Sequence, residues 1–221
     1  MVFQGGLLRC GPPGAPGLPY RPNPTLFFFP GLESRPVWSQ EDVERYPEAA
    51  SFVSALRDNA KAIRDEYLSL KEDRGPVSDY AAGEHEKLHS GDWQWFSFIK
   101  GGEPGEREAE LRERCPVTAR LLNSSVVQRG VPFAYSFFSA MRGGIGSGVG
   151  SGDGVGNGVG GDPGGTGVAA AGVHIRPHCS PCNLRLRVHL PLVVPPPALS
   201  DAGLRVGDRV LRWQEGEPIV L

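Results

Sequence analysis

The chain has 221 residues, of which 22% are charged and 39% hydrophobic, and its formal net charge is −2. This length suits one domain or at most two small ones, and the near balance of acidic and basic residues excludes a general nucleic-acid binder. Glycine and proline together make up about a quarter of the sequence, roughly twice the usual share. Because they cluster in two stretches, a collagen-like or wholly disordered chain is also excluded.

The two glycine- and proline-rich stretches set the domain organisation. Residues 1–24 show no periodicity and are predicted to be a disordered lead. Residues 143–172 contain fifteen glycines and are predicted to be a long disordered insert. They lack the flanking strand, the flanking helix and the Gly-Lys-Ser/Thr sequence of a phosphate-binding loop. We therefore expect one domain over residues 25–221, interrupted by this insert.

The sequence predicts neither a membrane segment nor a disulfide scaffold. The longest apolar runs are far shorter than the ~20 residues that a membrane-spanning helix needs. The first residues lack the basic and apolar regions of a secretory signal, and four cysteines are few for a disulfide-stabilised secreted protein. A cytoplasmic location is the default expectation. A membrane or endoplasmic reticulum location stays open if an amino-terminal anchor precedes this chain.

Apolar spacing predicts helices in the first half of the chain. Ser39 precedes an acidic stretch and is the expected N-cap of a short helix. A longer helix is expected from about Pro47, with one apolar face that packs on a sheet. The residues of this face are Phe52, Val53, Leu56, Ala60, Ile63, Tyr67 and Leu70. A further helix is expected over residues 107–122, interrupted near Cys115 and Pro116.

Alternation of apolar and polar residues predicts strands from residue 93 onward. The predicted strands cover residues 93–98, 134–140, 184–190, 204–206 and 210–213, and residues 217–221 close the sequence. A turn is expected at Gly207 and Asp208. Short strands that follow early helices indicate an α+β fold with an antiparallel sandwich or barrel as its core.

Residues 174–189 are the most informative segment for function, because three of the five histidines and three arginines fall within them. In a strand over residues 184–190, Arg185, Arg187 and His189 would share one face and form a site for a carboxylate. His178 lies on a proline-flanked turn, and a neutral imidazole there is a usual ligand for iron, zinc or copper. The alternative is a solvated basic face of an edge strand.

A second alternative concerns Cys179 and Cys182. A Cys-x-x-Cys pair is either a redox pair or half of a zinc site, which His174, His178 or His189 would complete. The strand–helix context of a thioredoxin motif is absent around this pair.

Several separate motifs occur in a characteristic order. They are His89-Ser-Gly-Asp-Trp93, Phe138-Ser-Ala-Met141, the loop from His174 to Asn183, and Arg185-Leu-Arg187-Val-His189. In this order they resemble the aspartyl/asparaginyl β-hydroxylases. Residues 32–38, 206–208 and 213–221 resemble the entry segment and the returning strands of that family. The resemblance covers residues 26–142 and 172–221.

The resemblance implies a double-stranded β-helix, the cupin-like jelly roll, with the N-terminal helices packed on the sheet. It also implies a dioxygenase that uses Fe(II) and 2-oxoglutarate to hydroxylate the β-carbon of aspartyl or asparaginyl residues in a peptide or protein. By position, His178 would be an iron ligand, and Arg187 and His189 would contact 2-oxoglutarate. Ser139 would hold the distal end of 2-oxoglutarate, and Trp93 would line the pocket.

The sequence departs from the family pattern at two places. No histidine follows His189, although the family has a second iron-ligand histidine and an arginine further along. We therefore expect the last strands of the core to be missing, and the alternative function is a truncated, non-catalytic cupin-like interaction module. Ser180 also stands where the family loop has glycine.

Overall fold

The computed structural model combines helices with antiparallel strands, which confirms the α+β class. It describes residues 8–9, 24, 26–72, 78–79, 89–90, 93–141, 173–175, 177–196 and 202–221. The predicted glycine-rich insert and nearly all of the predicted lead lie outside the described residues. Among the described helices, none is both long and apolar enough to cross a membrane.

Three helices precede the main sheet: α1 (Gln40–Glu44), α2 (Pro47–Asp58) and α3 (Ala60–Glu72). The predicted N-cap of α1 is confirmed. The Asp42 N–H donates to Ser39 Oγ over 3.1 Å, and the Ser39 N–H donates to Asp42 Oδ2 over 3.0 Å. This reciprocal pair satisfies two backbone donors that a helix start otherwise leaves without intrahelical partners.

The prediction of one long helix from Pro47 is wrong, because α2 and α3 are separate helices. Asn59 separates them with φ −103° and ψ 7°, and its side-chain Nδ2 donates to the Ala55 carbonyl over 2.8 Å. Asparagine side chains compete in this way with the backbone bonds of a helix. Of these two helices, only α3 contributes fully buried residues, whereas α2 has none.

The predicted interruption of the next helical region is confirmed. Helix α4 (Glu108–Arg114) ends at Cys115, and Pro116 starts α5 (Pro116–Leu121). Glu66 of α3 provides hydrogen-bond acceptors for the first turn of α5. Its carboxylate accepts hydrogen bonds from the Val117 N–H, the Thr118 N–H and the Thr118 hydroxyl over 2.6–3.0 Å. This carboxylate therefore ties α3 to α5 through charge-assisted bonds.

The described strands form small antiparallel sheets, and the largest consists of β4 (Trp93–Lys100), β5 (Glu103–Pro104) and β6 (Tyr135–Met141) in the order β5-β4-β6. This confirms the strands predicted at residues 93–98 and 134–140. The others pair as β1 (Leu8–Arg9) with β2 (Phe27–Phe28), β3 (His89–Ser90) with β7 (His174–Ile175), β8 (Val188–His189) with β11 (Ile219–Val220), and β9 (Gly203–Val206) with β10 (Arg209–Arg212). The β9–β10 turn is the predicted one, and Gly207 provides its positive φ of 61°.

The strand predicted at residues 184–190 is confirmed only in part. Val188 and His189 alone form β8. Arg187 nevertheless exchanges two backbone hydrogen bonds with Leu221, over 2.9 and 3.0 Å. Leu184 and Leu186, which alternate with the arginines, are 45% and 41% exposed. Their exposure follows from the pairing, because β8 is bonded to β11 only from Arg187 onward.

The main core lies between the three-stranded sheet and helices α3 and α4. Phe96, Phe98 and Phe138 face this core, and the Tyr67 ring of α3 lies 5.3 Å from the Phe138 ring. Other buried members are Ile63, Leu70, Ile99, Leu111, Cys115 and Ala134. Leu190 and Leu192 pack against the same core. The main sheet and the segment after β8 therefore pack on the same core.

Candidate functional site

The candidate site lies on the side of the strands that faces away from the helices. In β4 and β6 the residues that alternate with the core phenylalanines are Trp93, Trp95, Tyr135, Phe137 and Ser139, so the pleat places them on this opposite side. Arg185, Arg187 and His189 alternate in the same way with Val188, Leu190 and Leu192, which pack inward. Arg185 also lies within electrostatic range of Tyr135, which brings the two sets of residues near each other.

Two of the predicted site residues are in direct contact. Trp93 donates from its indole Nε1 to the Ser139 hydroxyl oxygen over 2.8 Å. The register explains the contact, because Trp95 is the direct partner of Ser139, and Trp93 pairs with the next outward residue of β6, Met141. Ser139 is exposed, and its hydroxyl keeps its own proton for donation to a bound group.

Arg187 and His189 form the second predicted pair. They are two residues apart and lie on the same face. The Arg187 side chain reaches solvent on one side, while the surrounding protein and the nearby Arg185 charge lower its pKa. Burial also lowers the pKa of Arg185. The Arg185 charge therefore lies within electrostatic range of Arg187, and within the described residues no carboxylate forms an ion pair with either guanidinium. This arrangement favours a bound anion.

The His189 imidazole is neutral at physiological pH. Burial, with a smaller contribution from the Arg187 charge, lowers its pKa from 6.5 to about 4. A neutral imidazole offers one donor and one acceptor nitrogen next to the guanidinium groups. His189 is thus suited to hydrogen bonding with a bound carboxylate. At physiological pH it adds no positive charge to the site.

The lowered pKa predicts a loss of stability in mild acid. Above pH 6.5 the imidazole is neutral in both states; between pH 6.5 and about 4 it gains a proton only when the chain unfolds, so the free energy of unfolding falls. After allowance for partial exposure, we expect a loss of about 1–3 kcal/mol. Urea unfolding of the wild type and of His189→Gln from pH 8 to pH 4 tests this, since the difference between the two curves cancels the titration of all other groups. A constant difference would contradict it.

His178 lies on a loop that the N-terminal segment holds in place. The Pro181 carbonyl accepts from the backbone N–H groups of Leu26 and Phe27 over 3.0 and 2.9 Å. Asn183 pairs with the backbone of Phe29, accepting from its N–H over 2.7 Å and donating to its carbonyl over 2.9 Å. The His178 side chain itself is exposed.

The described residues do not assemble a metal centre. Within them, no group of three or more histidine, cysteine, aspartate or glutamate side chains has the spacing to hold an ion. Cys179 is exposed and Cys182 is buried, and both are free thiols. The described part of the chain thus gives no support to the zinc alternative.

Sequence reasoning missed two features of this site. Asn183 ends the motif that begins at His174, but the motif does not reveal its partner Phe29, which lies 154 residues away. Trp95 and Phe137 stack with ring centroids 4.2 Å apart and an interplanar angle of 17°. Strand alternation predicts the face of each ring, whereas the stacking depends on the register between β4 and β6.

A family model described as Aspartyl/Asparaginyl beta-hydroxylase matches residues 57–146 and 167–221. The chain belongs to this family. Its relatives include the aspartyl/asparaginyl beta-hydroxylases of Homo sapiens and Mus musculus, each 27% identical over an alignment of 201 residues that covers 89% of this chain and 21% of the relative. Aspartate beta-hydroxylase domain-containing protein 2 of Mus musculus is 28% identical over 194 residues, covering 88% of this chain and 45% of that protein.

The family assignment confirms the resemblance that the motifs predicted. Both matched ranges contain predicted site residues: the first includes Trp93 and Ser139, and the second includes His178, Arg187 and His189. The chain spans about a fifth of the length of the first two relatives and less than half of the third.

Proposed function

We propose that this chain carries the 2-oxoglutarate site of an Fe(II)-dependent dioxygenase that hydroxylates the β-carbon of aspartyl or asparaginyl residues in a peptide or protein. The proposal rests on the Arg187–His189 pair and the hydrogen-bonded Trp93–Ser139 pair, which point away from the helix-facing core and which we take to share one face. In this proposal the small antiparallel sheets are parts of a double-stranded β-helix, and the shared face is its interior.

The residues of this face suit a dicarboxylate. Arg187 supplies a permanent positive charge, and the planar guanidinium binds a carboxylate through two parallel bonds. His189 adds a neutral donor and acceptor beside it. Ser139 has a hydroxyl proton to donate, while the Trp93 indole fixes the position of its oxygen. Two ends of one ligand would therefore contact different strands, with Arg187 and His189 at one end and Ser139 at the other.

Iron would supply the oxygen-activating chemistry of the reaction, and His178 would contribute one imidazole ligand to it. Within the described residues, His178 does not belong to a group of three or more histidine, cysteine, aspartate or glutamate side chains that could hold an ion. What the chain's own residues do is bind and orient the co-substrate: the Asn183–Phe29 pair positions the His178 loop, and the β8–β11 pairing positions Arg187.

A non-catalytic interaction module is the second candidate, because within the described residues no group of three or more metal-ligating side chains occurs. The same binding face would then hold a dicarboxylate or an acidic peptide without turnover. The two candidates differ in one measurable product, since hydroxylation releases one succinate and one CO2 for each oxygen atom inserted into the substrate.

The experiment incubates the chain with Fe(II), 2-oxoglutarate, ascorbate and peptides that contain aspartate or asparagine. Succinate release together with a 16 Da gain of the peptide is the result expected for the dioxygenase, and His178→Ala should abolish both. Binding of 2-oxoglutarate without succinate release would overturn catalysis by this chain and support the second candidate. If 2-oxoglutarate at millimolar concentration neither binds nor reacts, the proposed site is wrong.

A further inference from the structure

The pair of cysteines next to His178 has no part in the proposed function. Cys179 and Cys182 are both free thiols; Cys179 is exposed, whereas Cys182 is only 3% exposed. Because they are three residues apart, the chain keeps their Cα atoms within about 11 Å of each other. A disulfide requires a Cα separation of about 4.4–6.8 Å. A local change of backbone conformation over residues 179–182 is therefore sufficient to join the two sulfurs.

The Cys182 end of this segment is held in place. The Cys182 backbone forms a bridge with Phe27. Its neighbours Pro181 and Asn183 are hydrogen bonded to the same N-terminal segment, residues 26–29, through four bonds of 2.7–3.0 Å. Cys182 is consequently a fixed, buried thiol.

The Cys179 end is held less well. The hydroxyl of Ser180, which separates Cys179 from the anchored residues, is buried and has no hydrogen-bond partner within the described part of the chain. A buried hydroxyl without a partner destabilises the conformation that contains it, so a change that releases the hydroxyl is opposed less than in a fully bonded loop. Cys179 is exposed, so a small oxidant reaches its sulfur directly. An accessible thiol in an easily altered segment thus lies three residues from a fixed one.

We propose that Cys179 and Cys182 form a reversible disulfide when the chain meets a hydroperoxide. The Cys179 sulfur attacks the peroxide, so that an S–O bond forms, the O–O bond breaks, and water or an alcohol leaves. The Cys182 sulfur then displaces the hydroxyl group of this sulfenic acid as water, and the S–S bond forms. Each sulfur loses one electron overall, and the peroxide takes up both electrons together with the two thiol protons.

The disulfide changes the position of His178. Cys179 has to approach the fixed Cys182, and His178 directly precedes Cys179, so the imidazole moves with it. This consequence rests on the proposed function, in which His178 is an iron ligand: oxidation withdraws the ligand, and reduction by a thiol returns it. Arg187 and His189 follow the anchored end of the segment and keep their places. The pair therefore acts as a redox switch on the metal side of the proposed site.

Mass spectrometry of the purified chain tests the disulfide. One tryptic peptide, residues 143–185, contains both cysteines and no methionine. After treatment with a few equivalents of hydrogen peroxide, this peptide should lose about 2 Da and resist alkylation in denaturant, and dithiothreitol should reverse both changes. A gain of about 32 or 48 Da at Cys179 with Cys182 still open to alkylation would overturn the proposal. An unchanged peptide would do the same.

Variants test the order of the two steps. Cys182→Ser removes the resolving thiol, so Cys179 should accumulate as a sulfenic acid that dimedone traps. Cys179→Ser should leave Cys182 reduced, because Cys182 is buried. Cys115, which is 0% exposed in the main core, is the internal control and should stay a free thiol in every sample. Oxidation of Cys182 in Cys179→Ser to the same extent as in the wild type would contradict the role of Cys179.

Succinate release, measured on the same samples after the peroxide has been removed and iron added, separates this inference from the proposed function. The oxidised chain should release succinate about tenfold or more slowly than the reduced chain, as expected when a metal ligand is displaced, and dithiothreitol should restore the rate. Equal rates in both forms would overturn the switch. A disulfide that forms in a chain without any succinate release would overturn catalysis by this chain and leave the disulfide supported by its mass change.

Discussion

Replacing Phe98 by alanine is expected to lower the free energy of unfolding by about 3–5 kcal/mol. Phe98 is 1% exposed at the centre of the main core, and its ring meets the Phe138 ring edge to face at 5.6 Å. Truncation removes the buried aromatic surface and leaves a cavity between β4 and the helices that the rigid sheet cannot fill. Since a domain is typically stable by only ~5–15 kcal/mol, this single change would remove a large part of the total.

Urea unfolding followed by far-ultraviolet circular dichroism measures this loss. Phe98→Leu keeps most of the side-chain volume and should cost clearly less, so it remains measurable if the alanine variant is largely unfolded. Val210→Ala, at an exposed position, should change the free energy of unfolding by less than about 0.5 kcal/mol. A loss below about 1 kcal/mol in Phe98→Ala would show that the core is not centred on this residue.

The second large effect is expected at Arg187. Under the proposed function, Arg187→Gln should weaken the binding of 2-oxoglutarate by about 30- to 150-fold, because a hydrogen bond to a charged group contributes about 2–3 kcal/mol. The glutamine keeps a polar side chain of similar reach but has no positive charge and no guanidinium fork. Isothermal titration calorimetry on the wild type and the variant gives the two dissociation constants directly.

Two further variants show whether the loss is specific to this guanidinium. Arg187→Lys keeps the charge without the planar fork and should recover only part of the affinity. Arg205→Gln removes an exposed arginine from the β9–β10 hairpin and should leave the affinity within about twofold. If Arg187→Gln bound 2-oxoglutarate as tightly as the wild type, Arg187 would have to be removed from the proposed site.

Local sequence predicted those elements whose signals are contained in a few neighbouring residues. The capping box of Ser39 and Asp42 spans four residues, and Pro116 cannot continue the preceding helix, so both boundaries were correct. The strands of the main sheet were found because apolar and polar residues alternate over much of each strand. The division at Asn59 was missed, because the apolar spacing continues through it while the asparagine side chain bonds to the backbone.

The sequence predicted the individual residues of the candidate site but not how they are arranged in space. The motifs identified Trp93, Ser139, Arg187 and His189, and the family assignment supports the order in which they occur. The sequence did not predict that Leu184 and Leu186 are exposed, since alternation alone assigns a face without stating whether a neighbouring strand covers it. The roles of the site residues, including His178 as an iron ligand, stay predictions.

The sequence by itself determined the family, the α+β class and the chemical types that the binding face contains, because these depend on residue identity, order and short-range periodicity. Only the tertiary structure decided that Trp93 bonds to Ser139, that Asn183 pairs with Phe29, and that Trp95 stacks on Phe137. These contacts join residues that are 42 to 154 positions apart and depend on strand register and on the shared core. A register shift of one residue would leave the composition unchanged and move every side chain of the face to the opposite side.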